Sequence, residues 1–222
     1  MSSRSSNICR KGPDMKSTTP TTGGARQRSQ AETRQRLVTT AAALFAKNGS
    51  HKTTTAMIAR GAGVAAGTVF LHFPDKEALL REVLQVALGE LKHSLAKVAA
   101  GGTARTPEAD VRRRTEGLVT FADENPDLAA VLFDPGHLAT AAGAEVLDFL
   151  VASQAASLAD GQKKGWLRAD LDVGLAARAL VGSLILVLGW WVKKGPDEGP
   201  RPARPEVATQ LAGLRLYGTG AR

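Results

Sequence analysis

Residues 53–73 read TTTAMIARGAGVAAGTVFLHF, and their apolar residues fall into two short helical patterns separated by a glycine. A threonine among Thr53, Thr54 and Thr55 starts the first, because a hydroxyl oxygen accepts an amide hydrogen that a helix start leaves unbonded. Ile58, Ala59 and Ala62 turn inward from it. Gly63 supplies the positive-φ turn, and Val64 seats the next helix against its neighbours. Val69 and Phe73, four residues apart, face inward from the second pattern. Two short helices joined by a glycine turn, with small alanines where they cross, predict a helix-turn-helix.

On the N-terminal side, Leu37, Ala41, Leu44 and Phe45 recur on one face of a helix expected from about Gln30 to Asn48. Asn48-Gly49 ends it, with Gly49 suited to a left-handed cap. Residues 1–28 are rich in Ser, Thr, Gly, Pro and Arg without apolar periodicity, and read as a disordered basic arm. On the C-terminal side, Pro74 stops the third helix and Asp75 caps a long fourth, with Leu79, Leu80, Val83, Leu84, Ala87, Leu88 and Leu91 inward.

Beyond Gly101-Gly102, helices are expected from Thr106-Pro107 to about Asn125, from Pro126 to about Asp134, and from Ala144 to Lys164. A very apolar helix follows at Asp172–Lys194. Residues 195–205 contain four prolines and read as a loop, after which Glu206–Tyr217 closes the chain as a last helix. The expectation is an all-α protein of about nine helices. Its parts are an arm at 1–28, a three-helix unit at 29–74, and a regulatory helical domain at 75–222.

Composition narrows the class. Aliphatics and alanine dominate the apolar content and aromatics are few, which favours helix over sheet. The lone Cys9 allows no intrachain disulfide. The most apolar run, Ala179–Val192, is short for a membrane span and no signal-type run opens the chain, so the expectation is a soluble, cytoplasmic protein with no membrane partner. Net charge is +8, and residues 1–28 carry six basic residues against Asp14. Residues 29–99 carry nine basic against five acidic, while the remaining chain is nearly balanced. A polyanion such as DNA would meet the front of the molecule.

Continued through PDKEALLREVL, the opening stretch resembles the DNA-binding domain of the TetR (tetracycline-repressor) family. The likeness is carried by Ala59-Arg60, Ala62-Gly63-Val64, Gly67-Thr68, His72-Phe73 and Lys76-Glu77-Ala78-Leu79-Leu80, and a looser echo includes Glu124-Asn125-Pro126 and Gly165-Trp166-Leu167-Arg168-Ala169-Asp170. The resemblance implies a homodimer that binds double-stranded operator DNA, with the helices after residue 75 forming a dimerising domain around a small-molecule cavity. It places Thr54, His72 and Lys76 at phosphates. The family's common Ser-Lys, Tyr and Arg are replaced here by Ala65-Ala66, Phe70 and Ala56, each change removing a donor aimed at DNA. Readout then leans on Thr55, Thr68, the Gly67 backbone and contacts of Ala66 and Phe70, with thymine methyls as natural partners of Ala66. Arg26 and Arg28 are expected to reach phosphates or a minor groove.

The expected function is a sequence-specific regulator, a repressor released by a small, largely apolar effector. The expected pocket comprises Phe121, Leu132, Phe133, Phe149, Ser153, Ser183 and Trp190, without a cluster of cations; of Arg112, Arg113 and Arg114, at most one is expected to face inward. Leu180, Leu184, Val187, Leu188 and Trp191, with the last helix, are expected to build the dimer face. His51, His93 and His137 lack metal-ligand spacing, so no metal and no cofactor is expected. Two other readings remain open. A sequence-indifferent architectural DNA-binder fits the missing donors. An enzyme fits poorly, since no nucleophile elbow, phosphate-cradling loop or acid/base constellation is present.

Overall fold

Thr54 is the residue that starts α2: its side chain accepts the Met57 N–H at 3.2 Å. Thr53, its neighbour, is buried, and its hydroxyl donates to Gly49 O at 2.8 Å, tying the start of α2 to the end of the preceding helix. In the computed structural model, which describes residues 22–102 and 104–219, the order is α1 (Thr22–Lys52), α2 (Thr55–Gly61), α3 (Ala66–His72) and α4 (Lys76–Ala100). The body follows as α5 (Pro107–Glu124), α6 (Pro126–Leu132), α7 (Pro135–Leu138), α8 (Ala141–Lys163), α9 (Val173–Lys193) and α10 (Arg204–Thr219). Among the described residues there is no strand.

The helix-turn-helix forms as its residues dictate. Gly63 takes φ 66° between α2 and α3, a conformation that a side chain would strain. Ile58, Val69, Phe73, Leu37, Ala41 and Phe45 are buried together, so α1, α2 and α3 share one core. That core continues without a break along α4 into the body, because α4 packs on α1, α5, α6 and α8.

Several expectations need correction. The arm does not extend to residue 28: residues 22–28 are the first turns of α1, and residues 1–21 lie outside the described residues. Once the buried face at Leu37–Phe45 fixes a helix, each residue added at its N-terminus gains a hydrogen bond at little further cost. Arg, Gln, Ala and Glu in 25–32 are good helix formers. Gly49 interrupts α1 with φ 75° and ψ 159°, which leaves a last turn, 50–52, beyond it. The short α7 was not anticipated, since four residues carry no periodicity. α10 starts earlier than expected, at Arg204, because proline in a first helical turn loses no hydrogen bond.

Helix α9, capped by Asp172, has 21 residues and is long and apolar enough to cross a bilayer, longer than the run at 179–192 suggested. In the structure it packs on α6 and α8, with Leu180, Leu184, Leu188 and Trp191 buried in protein. A Cβ at Gly189 would sit 2.4 Å from Phe133 O, so only glycine lets α9 lie this close to the end of α6. The residues expected to build the dimer face are therefore mostly core. The exposed apolar stripe on α9 is instead Leu175, Ala179, Leu186 and Trp190, and α10 packs mainly on α5 through Val207, Ala208 and Leu211.

Candidate nucleic-acid interface and effector cavity

Helix α3 shows two sides. Val69 is fully buried, Thr68 and His72 are half-buried, and Ala65, Ala66, Gly67, Phe70 and Leu71 are exposed. Phe70 is 56% exposed and Leu71 83%, an unusual display of large apolar side chains on a seven-residue helix. The tip can approach another surface closely, because nothing longer than a methyl projects from residues 65–67. Thr68 and His72 supply the only side-chain hydrogen-bonding groups between residues 65 and 72. Leu71 was missed from the sequence, although its place next to Phe70 and opposite Val69 carries the signal.

The other residues read as DNA contacts lie on α1, at the start of α2 and at the start of α4. Thr54 is exposed, and its oxygen serves the α2 cap while its hydroxyl hydrogen can still donate outward. Thr55 is half-buried. Lys76 is partly committed inside the fold: its ammonium donates to Ser50 O at 2.7 Å and Thr53 O at 3.2 Å. Of its three N–H donors, one remains for a phosphate. Arg26 and Arg28 are exposed on the first turns of α1, and Arg60 is exposed on α2.

The body encloses a cavity of about 370 Å³ between α4, α5, α8, α9 and α10, within the range that small-molecule sites occupy. Leu88, Leu91 and Leu95 of α4, Leu150 of α8, and Leu184 and Ile185 of α9 supply apolar wall. Of the expected lining, Phe133, Phe149 and Ser153 border this space. Phe121 and Leu132 are buried in the core instead, and Ser183 turns its hydroxyl to Leu180 O on its own helix at 2.8 Å. Trp190 borders a separate shallow pocket with Leu186 on the outer side of α9.

The expectation of a cation-free lining is corrected. Lys92, Arg113, Arg114 and Arg215 all border the cavity, so two consecutive arginines of α5 reach it rather than at most one. Adjacent helical positions diverge by about 100°, but two long side chains can straddle one edge of a wall. Arg215 was unforeseen because α10 was expected at the dimer face. It is 6% exposed, and its guanidinium donates to Thr115 Oγ1 at 3.3 Å and Gln154 Oε1 at 3.4 Å. Burial first, and then the charge of Arg114, lower its pKa, while Asp110 pulls it upward. Among the described residues no three His, Cys, Asp or Glu side chains gather as metal ligands.

Residues 37–83 match the family described as bacterial regulatory proteins, tetR family. These residues carry a tetR-family domain. The chain is 29% identical over 197 residues to the HTH-type transcriptional repressor KstR2 of Rhodococcus jostii strain RHA1, a match covering 82% of this chain and 90% of that protein. The fatty acid degradation regulator FadR of Bacillus halodurans shares the fold with TM-score 0.67 at 23% identity, covering 84% of this chain and 95% of that one. The ketosteroid regulator KstR2 of Mycobacterium tuberculosis does so with TM-score 0.64 at 23% identity, covering 85% and 95%. The chain is a DNA-binding transcription regulator.

Proposed function

We propose that this chain is a cytoplasmic repressor that grips operator DNA as a homodimer and lets go when a small molecule fills the body cavity. The observation that carries this reading is the reach of α4. Its first residue, Lys76, is bonded to the carbonyls of Ser50 and Thr53 beside the helix-turn-helix, and Leu88, Leu91 and Leu95 farther along line the cavity. A ligand that shifts α4 thereby shifts α3, and a coupling of about 1–3 kcal/mol suffices to change operator occupancy appreciably. The exposed stripe on α9 supports a two-fold pairing that sets two α3 helices one DNA turn apart.

In this reading Thr54, His72, Lys76, Arg26 and Arg28 face phosphates, while Ala66, Gly67, Thr68 and Phe70 meet base edges, helped by Thr55. Repressor relatives such as KstR2 support the sign of regulation. The test is selection of bound fragments from the source genome, followed by affinity measurements on selected and random duplexes across a salt series. A specific regulator keeps a large affinity ratio at every salt concentration. The scarcity of donors on α3 favours one competing reading, an architectural DNA-binder, and a ratio near one would establish it.

A further inference from the structure

Helix α3 presents an apolar face to solvent. Leu71 stands about 200° around the helix from the buried Val69, so it projects almost straight away from the core. Phe70 beside it is exposed as well. Ala66 and Gly67 lie one turn earlier, also exposed, with open space where a Cβ on Gly67 would stand. Ala66 is thus stacked with Phe70, and Gly67 with Leu71, in one slim apolar strip. Residues 65–72 contain no Lys, Arg, Asp, Glu, Asn or Gln. Those are the side chains that pair bidentately with guanine or adenine, or accept from cytosine. What α3 offers a base pair in their place is hydrocarbon.

We infer that α3 reads thymine through its C5 methyl group, with Phe70 and Leu71 as the side chains that contact it. The inference rests on the reading of α3 as the helix that enters the operator. Among the groups that base pairs present in the major groove, the thymine methyl is the apolar one. An α-helix fits that groove, about 12 Å wide, but not the minor groove of about 6 Å. Side chains on the body of α3 therefore meet methyls and do not wedge between base steps from the minor groove. Attraction to the duplex comes from other elements. Arg26 and Arg28 on α1 and Arg60 on α2 are exposed, and residues 29–99 carry nine basic residues against five acidic. That excess of positive charge favours a nucleic acid over an apolar protein as the partner of the strip. Covering a methyl with Phe70 or Leu71 removes apolar surface from water and releases no counterion. The preference for the methyl is therefore insensitive to salt, whereas the overall affinity is not.

The test uses the full-length protein and the duplex it selects from the source genome. Each thymine of one half-site is replaced in turn by deoxyuridine, which keeps the base pair and its O4 acceptor and loses only the methyl. Binding is read by fluorescence anisotropy of the labelled duplex at about 50 and 200 mM salt. At least one replacement is expected to weaken binding about fourfold, by the same factor at both salt concentrations. That penalty is expected to vanish in at least one of Phe70→Ala and Leu71→Ala. Both side chains stand in solvent, so the variants keep the fold, which circular dichroism checks. Deoxyuridine tolerated at every thymine overturns the inference yet leaves the regulator reading standing, provided the selected duplex still outcompetes random DNA. A penalty that persists undiminished in both variants gives the methyl contact to other residues and also overturns it. Equal affinity for selected and random duplexes sinks the regulator reading, and the inference with it.

Discussion

The Nε2 atom of His137 accepts the backbone N–H of Ser50 at 3.1 Å, joining α7 of the regulatory body to the last turn of α1. Because Nε2 accepts, the ring proton sits on Nδ1, which donates to Val131 O at 3.2 Å. Ser50 is gripped from the other side too, since its carbonyl accepts from Lys76. Asp134, which caps α7, also pairs with Lys193 near the end of α9. A continuous polar path therefore runs from α9 through α7 and Ser50 to the start of α4. In the sequence His137 is an isolated histidine, and only the tertiary contact gives it a role.

His137→Ala is expected to lower stability by about 2–4 kcal/mol, because it strands a buried Ser50 N–H and opens space beside Phe45. His137→Gln, whose amide oxygen can accept from Ser50, should recover part of the loss. Thermal melts at fixed protein concentration measure both. Equal melting temperatures for wild type and His137→Ala would refute the assigned role.

Acid should act through the same ring. Burial holds the His137 pKa below its ordinary value of 6.5; Lys193 and His51 push the same way, and Asp134 and the Val131 carbonyl push against. As pH falls below about 6.5 the unfolded chain takes up a proton that the native ring resists, so stability is lost progressively from there down to the native pKa. Melting temperature is expected to fall between pH 7 and pH 5 more steeply for wild type than for His137→Gln. Parallel slopes would assign the acid sensitivity elsewhere.

Lys76→Met is expected to weaken binding to every duplex and to lower the salt dependence by about one ion per half-site. It should also cost about 1–2 kcal/mol of stability, since Ser50 O and Thr53 O lose a charged donor. A salt titration separates the two effects. If stability falls but the salt slope holds, Lys76 braces the fold and does not touch phosphate.

Much of the molecule was readable in the sequence because local signals and tertiary packing agree there. Ile58, Gly63, Val69 and Phe73 specify the helix-turn-helix by spacing alone, and all behave as expected. The body was harder to read. Helix α9 is apolar on most of its circumference, so its pattern does not say whether Leu180 and Leu188 or Leu175 and Leu186 face the core. Arg215 lies 100 residues from Thr115. No local pattern links such a pair.

On α3, Phe70→Ala and Leu71→Ala are expected to change stability by less than about 0.5 kcal/mol, since both side chains stand in solvent. Both should nevertheless weaken operator binding, because each truncation removes apolar surface that would otherwise pack against the bases. Thr68→Ala should blunt discrimination between operator and random duplex. Paired affinity measurements on the two duplexes distinguish these outcomes, and unchanged operator affinity in all three variants would remove α3 from the DNA.

The oligomeric state provides the last expectation. Leu175, Ala179, Leu186 and Trp190 fall on one side of α9 at spacings of four, seven and four. Gly182 lies between them with open space where a Cβ would stand, so a second helix can approach closely. Leu186 is 64% exposed, and a charge there leaves the monomer's own packing untouched. Within a two-fold interface the same charge would meet its symmetry mate in an apolar surrounding, which is unfavourable. Leu186→Glu is therefore expected to sediment as a monomer at micromolar concentration, with a helical spectrum like that of wild type. Operator affinity should fall by more than about tenfold, because each half-site would then be bound without the linkage that pairing provides. A dimer that survives Leu186→Glu with unchanged association would place the interface on another face of the body.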